Sequence, residues 1–240
     1  MRRGAKVVFF DLGETLVTQN IEDNLVTKRA LDQLSGILPK KISGTRLYTI
    51  YQKGFRANHA IRSKHYVEIP VHTWMTELLQ YALHEDPTES LVRRATKIIV
   101  QHRAANSVAF KDAKPVLDRL ARQGVPMGII SNVSSHEVAV EILRHVKLDR
   151  YFDHVITSAF TGIRKPDPGI FLYALREFGV KPDQAIHVGD SEAHDVWGAV
   201  PVGITTFLVK DVKIRPTTDA DYFFRHLGEA AETLEQLTAA

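Results

Sequence analysis

Four short polar segments of this chain carry side chains that could do chemistry together, and each follows an apolar run or a predicted strand. Asp11 comes directly after the apolar residues 7–10, and Gly13 stands two positions later. Packing explains Asp11 poorly, because an aspartate is almost never fully buried unless it is paired. The remaining candidates are Ser131 with Asn132, residues 164–168 around Lys165, and Gly189 with Asp190, to which Asp195 adds a further carboxylate.

Carboxylates combined with a lysine suit a divalent cation and a phosphate group. Mg²⁺ prefers oxygen ligands and is usually held by one or two carboxylates plus phosphate oxygens of the substrate. A lysine then balances the phosphate charge as a point cation. The residue types therefore predict a site for Mg²⁺ and a phosphorylated ligand, provided that the fold brings the segments to one place.

The chain alternates between helix and strand patterns from about residue 112 onward. We predict helices over 114–123, 135–146 and 170–178, and strands over 125–130, 154–158, 185–188 and 204–209, with an edge strand at 222–224 before a last helix. This alternation is typical of βαβ units, and residues 6–10 have the same buried character. We therefore expect an α/β fold with a Rossmann-like parallel sheet. The four polar segments then meet at the edge formed by the carboxyl ends of the strands, where ligands bind.

Residues from about 17 to 107 show helix periodicity and no convincing strand. The segment from Asp86 to Glu89 has the pattern of a helix start, with an acid at the N-cap, proline at the first helical position and glutamate at the third. We predict an all-helical cap over 17–107, inserted after the first strand, and a catalytic core made of 1–16 and 108–240. Cap side chains that could face the site are Tyr48, Tyr51, Phe55, Arg56 and Trp74.

Composition narrows the class of protein. The 240 residues are 44% hydrophobic and 25% charged, which is ordinary for a globular protein. The absence of cysteine excludes disulfides and a thiol nucleophile, and we expect a cytoplasmic location by default. No apolar run is long enough for a membrane span. A net charge of +3 suits a small anionic partner, and no dense basic cluster indicates nucleic acid. The oligomeric state stays open.

The four segments, in this order and spacing, resemble the motifs of the haloacid dehalogenase-like hydrolase superfamily. The family's first motif is a nucleophilic Asp after a hydrophobic strand, then an acid two residues on and a Thr. Its later motifs are a Ser or Thr at a strand end, a lysine often followed by Pro-Asp-Pro, and Gly-Asp-Ser with a second Asp beyond it. Here they stand as Asp11-Leu12-Gly13-Glu14-Thr15, Ser131, Lys165 to Pro168, Gly189-Asp190-Ser191 and Asp195. The helical segment after the first motif is similar to the family's C1 cap.

The resemblance implies a role for each matched residue. Asp11 would attack phosphorus and form an aspartyl-phosphate. Asp190, Asp11 and the backbone carbonyl of Gly13 would hold Mg²⁺, and Asp195 would orient the metal's water shell or the lysine. Lys165 would steady the nucleophile and the phosphate, and Ser131 and Asn132 would bind the phosphoryl oxygens.

One position departs from the family's pattern. Phosphatases of this superfamily usually carry an Asp where this chain has Gly13, and that Asp protonates the departing alcohol and then activates water. A general acid–base group supplies about 10²–10⁴-fold in rate. Glycine has no side chain for this work, although its carbonyl can still serve a metal.

Three explanations of Gly13 stay open. In the first, the protein is a phosphatase in which a water or Glu14 replaces the missing acid. In the second, the substrate has a good leaving group, such as an acyl phosphate, or a carbon–halogen bond as in the family's metal-independent dehalogenases. In the third, the chain is a non-catalytic phosphate- or partner-binding relative. The intact Gly189 and Asp190 favour a metal, so we expect a Mg²⁺-dependent phosphatase of small phosphorylated metabolites.

Overall fold

The computed structural model of this chain describes residues 4–213 and 216–239. Within these residues the strands are β1 Val7–Phe10, β2 Val17–Gln19, β3 Ser107–Ala109, β4 Met127–Ser131, β5 His154–Thr157, β6 Ala185–Gly189, β7 Thr205–Val209 and β8 Tyr222–Phe224. Six of them form one parallel sheet in the order β5-β4-β1-β6-β7-β8. The α/β fold with a parallel sheet is confirmed.

The helices of the described residues divide into two groups. The first group is α1 Asp23–Ser35, α2 Gly44–His65, α3 Val71–Leu83 and α4 Glu89–Ala105. The second is α5 Ala113–Arg122, α6 His136–His145, α7 Ser158–Thr161, α8 Pro168–Phe178, α9 Trp197–Ala199 and α10 Leu227–Thr238. Short 3₁₀ turns lie at Asp149–Tyr151, Pro182–Gln184 and Val200–Val202, and a π-helical turn at Glu192–Val196.

The sheet is buried on both faces, as its apolar strands require. Val8 and Phe10 of β1 pack into one cluster, which includes Leu117 of α5. The alternate side chains of β1 belong to a second cluster with Phe171 of α8. Helices α1 to α4 enclose a separate cluster of their own, which includes Leu31, Leu34, Leu47, Met75 and Leu79.

Two local predictions were wrong. Residues 17–19 form β2, which pairs antiparallel with β3, although no strand was expected there. Three-residue strands carry too few side chains to show a period of two. Helix α4 is capped by the Thr88 hydroxyl, which accepts from the amide of Leu91 at 3.3 Å, and not by Asp86. The Asp86 carboxylate instead accepts a hydrogen bond from Gln80.

No helix among the described residues is long and apolar enough to cross a membrane.

Candidate active site

The order of the strands brings three of the four polar segments together. β1 lies between β4 and β6, so their carboxyl ends are neighbours at one edge of the sheet. Asp11 directly follows β1, Ser131 is the last residue of β4, and Asp190 directly follows β6. Lys165 reaches the same edge from the loop between α7 and α8, where it is 2% exposed.

Lys165 connects the nucleophile candidate to a second carboxylate. Its ammonium donates to Asp11 Oδ1 at 2.7 Å, to Asp195 Oδ1 at 2.6 Å and to the carbonyl of Ile130 at 2.8 Å. These three acceptors use all three of its protons. Burial lowers the pKa of Lys165, but the charges of Asp11 and Asp195 outweigh this penalty and the net shift is upward. The lysine is therefore a fixed cation beside Asp11.

Asp195 is held from three sides. Besides Lys165, His187 Nε2 contacts Asp195 Oδ1 at 2.8 Å, and the Ser191 amide donates to Oδ2 at 3.0 Å. The carboxylate lies so close to β6 that a Cβ on Gly189 would sit 2.2 Å from its Cγ, so this strand end requires glycine. Burial alone would raise the pKa of Asp195, but Lys165 and His187 lower it, and the group is ionised.

His187 is a site residue that the sequence reasoning missed. It stands on β6, fully buried, with its ring edge-on to Phe171 at 5.0 Å. Burial lowers the pKa of His187, which favours the neutral ring with its proton on Nε2, facing Asp195. Its Nδ1 has no partner among the described residues. The available signal was a lone histidine inside an otherwise apolar parallel strand, three residues before Asp190.

The carboxylates at this edge fit a divalent cation. Oxygen atoms of Asp11, Asp190 and Asp195 lie within 4.8 Å of one another. Burial, Asp11 and Asp195 together raise the pKa of Asp190 to about 7, and a cation bound beside this carboxyl would favour its ionised form. Because Asp195 already receives three hydrogen bonds, Asp11 and Asp190 are the carboxylates best placed to coordinate a metal.

The turn after β1 is exposed, in contrast to the buried surroundings of Lys165 and Asp195. Gly13 is exposed, and a Cβ built on it would meet no atom within 4 Å. Glu14 has a positive φ of 54°, and its carboxylate accepts a hydrogen bond from the Thr18 hydroxyl at 3.0 Å. An aspartate side chain at position 13 would therefore have room, while the carboxylate of Glu14 is turned to Thr18.

Asn132, for which substrate binding stays a prediction, also contacts the backbone of Lys165. Its amide nitrogen donates to the Lys165 carbonyl at 2.9 Å, and its amide oxygen accepts from the Lys165 backbone N–H at 2.8 Å. This pair of bonds fixes the loop that carries the lysine. The predicted residues Asp11, Lys165, Asp190 and Asp195 thus come together, with Gly13 and Ser131 beside them.

Comparison with known proteins identifies the family of this chain. Residues 5–203 match the sequence profile described as haloacid dehalogenase-like hydrolase. The chain belongs to this family. It is 29% identical to the glyceraldehyde 3-phosphate phosphatase of Pyrococcus furiosus, in an alignment that covers 98% of this chain and 95% of that protein.

Solved structures share the fold of this hydrolase. The HAD phosphatase from Thermococcus onnurineus superposes with a TM-score of 0.69 at 26% identity, covering 98% of this chain and 100% of the other. The 2-haloacid dehalogenase from Pseudomonas syringae pv. Tomato superposes with a TM-score of 0.72 at 23% identity, covering 95% and 97%. At that identity the second likeness shows the fold alone, because one fold hosts several chemistries.

A cavity of about 1050 Å³ lies between the strand ends of the hydrolase and helices α1 to α4. Its floor includes Gly13 and Ser131, and its opposite wall includes three aromatic residues of the helical segment, Tyr51, Phe55 and Trp74. Two other candidates from the sequence, Tyr48 and Arg56, are not part of its lining. Such a volume suits a small organic substrate.

Proposed function

We propose that this enzyme is a Mg²⁺-dependent phosphatase of small phosphorylated metabolites, with Asp11 as its nucleophile. One observation carries the proposal: the buried ammonium of Lys165 bridges Asp11 and Asp195, and a carboxylate oxygen of Asp190 lies within 4.8 Å of both. The relatives named glyceraldehyde 3-phosphate phosphatase support the same class of reaction.

In the proposed reaction, Asp11 attacks the phosphorus atom of a phosphate ester. The bond from a carboxylate oxygen to phosphorus forms while the bond to the leaving oxygen breaks, and a water later hydrolyses the aspartyl-phosphate. Lys165 holds Oδ1 of Asp11 at 2.7 Å, and Oδ2, which has no hydrogen-bond partner among the described residues, would make the attack. Ser131 donates its hydroxyl to the phosphoryl oxygens, and Asn132 fixes the lysine loop.

The metal site in this proposal consists of Asp11, Asp190 and the backbone carbonyl of Gly13, with Asp195 in the supporting role. When bound, Mg²⁺ neutralises charge between the nucleophile and the phosphate and orients the reacting oxygens. The carboxylates of Asp11 and Asp190 lie close together, and their proximity contributes to the raised pKa of Asp190. A divalent cation bound between them would favour the ionised form of both groups.

Helices α1 to α4 form the cap of this enzyme in our proposal, a C1-type cap over residues 17–107, with the core made of 1–16 and 108–240. The separate hydrophobic cluster of these four helices supports the division. The cavity between the two parts supports a role of the cap in enclosing the substrate and excluding bulk water.

Gly13 favours one alternative, a metal-independent hydrolysis of carbon–halogen bonds, because that chemistry needs no acid at this position. A substrate panel separates the two reactions. It contains alkyl, aryl and acyl phosphates and a 2-haloacid, each assayed with Mg²⁺ and with excess chelator. We expect phosphate release that requires Mg²⁺. Halide release that persists in chelator, without phosphate release, would establish the dehalogenase instead.

A further inference from the structure

Two arginines share one buried carboxylate beside the cavity. Glu68, in the loop between α2 and α3, has a side chain with 0% exposure. Its Oε2 pairs with Arg164 and accepts from the Ser158 hydroxyl at 2.5 Å, and its Oε1 accepts from the Ile69 amide at 3.0 Å. Arg62 of α2 lies 3.6 Å from Oε1. The carboxylate is fully occupied, while the group as a whole keeps one positive charge.

The two guanidinium groups keep unused hydrogen-bond donors. Arg62 Nε donates to the Asn58 carbonyl at 3.3 Å, and its contact with Glu68 at 3.6 Å is too long for a good hydrogen bond. Arg164 uses one terminal nitrogen on Glu68. A guanidinium has five N–H donors, so most of these remain free among the described residues. Burial lowers the pKa of Arg62, Glu68 opposes this, and the nearby Arg164 lowers it further.

Both arginines line the same cavity as Gly13 and Ser131, yet they are only 13% and 18% exposed in their side chains. Arg103 also lines the cavity, but its charge is neutralised by a carboxylate of its own. Both of its terminal nitrogens contact Asp23. The remaining cavity charges without an ion-pair partner among the described residues are solvent-exposed and sum to zero: Arg46, Lys53, Glu14 and Glu77.

We propose that Arg62 and Arg164 form a subsite for a second anionic group on the substrate, a carboxylate or a second phosphate. This inference rests on the proposed function, because it takes the site around Asp11 as the place of the reacting phosphoryl group. The subsite is built by the cap and the core together, with Arg164 immediately before Lys165 in the chain. A substrate with two anionic groups would therefore contact both the cap and the core.

The two arginine side chains are not required to join the cap loop to the core, because backbone hydrogen bonds already join them. The Glu68 amide donates to the Gly162 carbonyl at 2.9 Å, and the Arg164 amide donates to the Tyr66 carbonyl at 2.8 Å. The Val71 amide also donates to a core carbonyl at 2.6 Å. None of these three bonds needs a guanidinium.

Binding to the full-length Asp11→Asn protein tests the subsite without turnover. Calorimetry with Mg²⁺ compares 3-phosphoglycerate with glycerol 3-phosphate, which has a hydroxymethyl group in place of the carboxylate. A second pair, fructose 1,6-bisphosphate and fructose 1-phosphate, tests a second phosphate. We expect the member with two anionic groups to bind about tenfold tighter or more in at least one pair, as charge-assisted hydrogen bonds in a buried site provide.

Substitution of the arginines should remove that preference. Arg62→Met and Arg164→Met should each reduce it about tenfold, whereas the lysine variants should retain part of it as point charges. Arg56→Met removes the same charge from the same helix outside the cavity and should leave the preference unchanged. Equal binding of both members of both pairs, or a preference unchanged in the two methionine variants, would overturn the subsite.

The proposed phosphatase activity is read separately, as phosphate release by the unsubstituted protein. A protein that binds selectively through Arg62 and Arg164 but releases no phosphate would retain the subsite and lose the proposed reaction. Phosphate release without any preference for the second anionic group would support the proposed reaction and overturn the subsite. Thermal melting of each variant checks that it is folded.

Discussion

The two sides of Asp11 differ sharply in how far the protein has organised them. On one side, Lys165 and Asp195 are buried, and the hydrogen bonds of Lys165, His187 and Ser191 fix their geometry. On the other side, the turn at Gly13 is exposed and has empty space where a side chain would begin. The first side neutralises charge, and the second is where a proton would have to be transferred.

This difference separates the nucleophilic attack of Asp11 from the proton transfers of the proposed reaction. Groups that are preorganised before the substrate arrives need no rearrangement during the reaction, which is why fixed charges are effective in catalysis. The attack of Asp11 has such groups. Protonation of the leaving oxygen and activation of water do not, because Gly13 offers no side chain. For an aryl phosphate, whose leaving oxygen needs little protonation, we therefore expect the aspartyl-phosphate to form more readily than it is hydrolysed.

The largest expected effect comes from the nucleophile. Asp11→Asn should lower phosphate release by about 10³-fold or more, because no covalent intermediate can form. The asparagine carbonyl can still accept from Lys165, so the melting temperature should stay close to that of the unsubstituted protein. Steady-state phosphate release and thermal melting measure both. Turnover that survives the substitution would show that Asp11 is not the nucleophile.

An intermediate effect is expected from His187, which acts on the reaction only through Asp195. His187→Phe keeps the packing against Phe171 but removes a donor to a buried carboxylate, and should lower kcat by about 10- to 100-fold. His187→Gln can place an N–H near the same oxygen and should recover most of the rate. Equal losses in both variants, with equally lowered melting temperatures, would show a packing role instead.

The smallest effect is a gain on the open side. Gly13→Asp should raise hydrolysis of alkyl phosphates by about tenfold, less than the roughly 10²–10⁴-fold of an established general acid. Aryl phosphates, whose leaving groups need little protonation, should gain less. The values of kcat/KM on one matched alkyl and aryl ester measure the ratio, because kcat/KM reports formation of the aspartyl-phosphate and not its later hydrolysis. The same gain on both esters would contradict the assignment of acid–base work to this position.

The sheet could be predicted from the sequence because its strands are mostly apolar and are separated by amphipathic helices. Tyr222–Phe224 has the predicted bounds, and the ends of most other core elements differ from the prediction by one or two residues. The grouping of Asp11, Ser131 and Asp190 followed from that sheet, since strand ends share an edge, and Lys165 joins them from a loop beyond α7. His187 did not follow, because a buried polar residue on a strand reveals its partner only once the neighbouring loop is placed.

The helical segment α1 to α4 was less accessible to prediction. Periodicity identifies helices but not the direction in which each apolar stripe points, so Tyr51 and Arg56 were equal candidates for the site although only Tyr51 lines the cavity. The shared carboxylate of Glu68 was equally hidden, because it joins residues separated by 96 positions in the chain. Long-range ion clusters of this kind leave no local pattern in a sequence.

The central claim is that phosphate transfer passes through Asp11 and that Gly13 slows the second half of the reaction. Acid quenching during turnover of an aryl phosphate with Mg²⁺, followed by proteolysis and mass spectrometry, tests it most directly. We predict a phosphoryl group on the peptide that contains Asp11, in an amount that falls when Gly13 is replaced by aspartate. Phosphate release with no phosphorylated peptide, or with the phosphoryl group on another residue, would contradict the account.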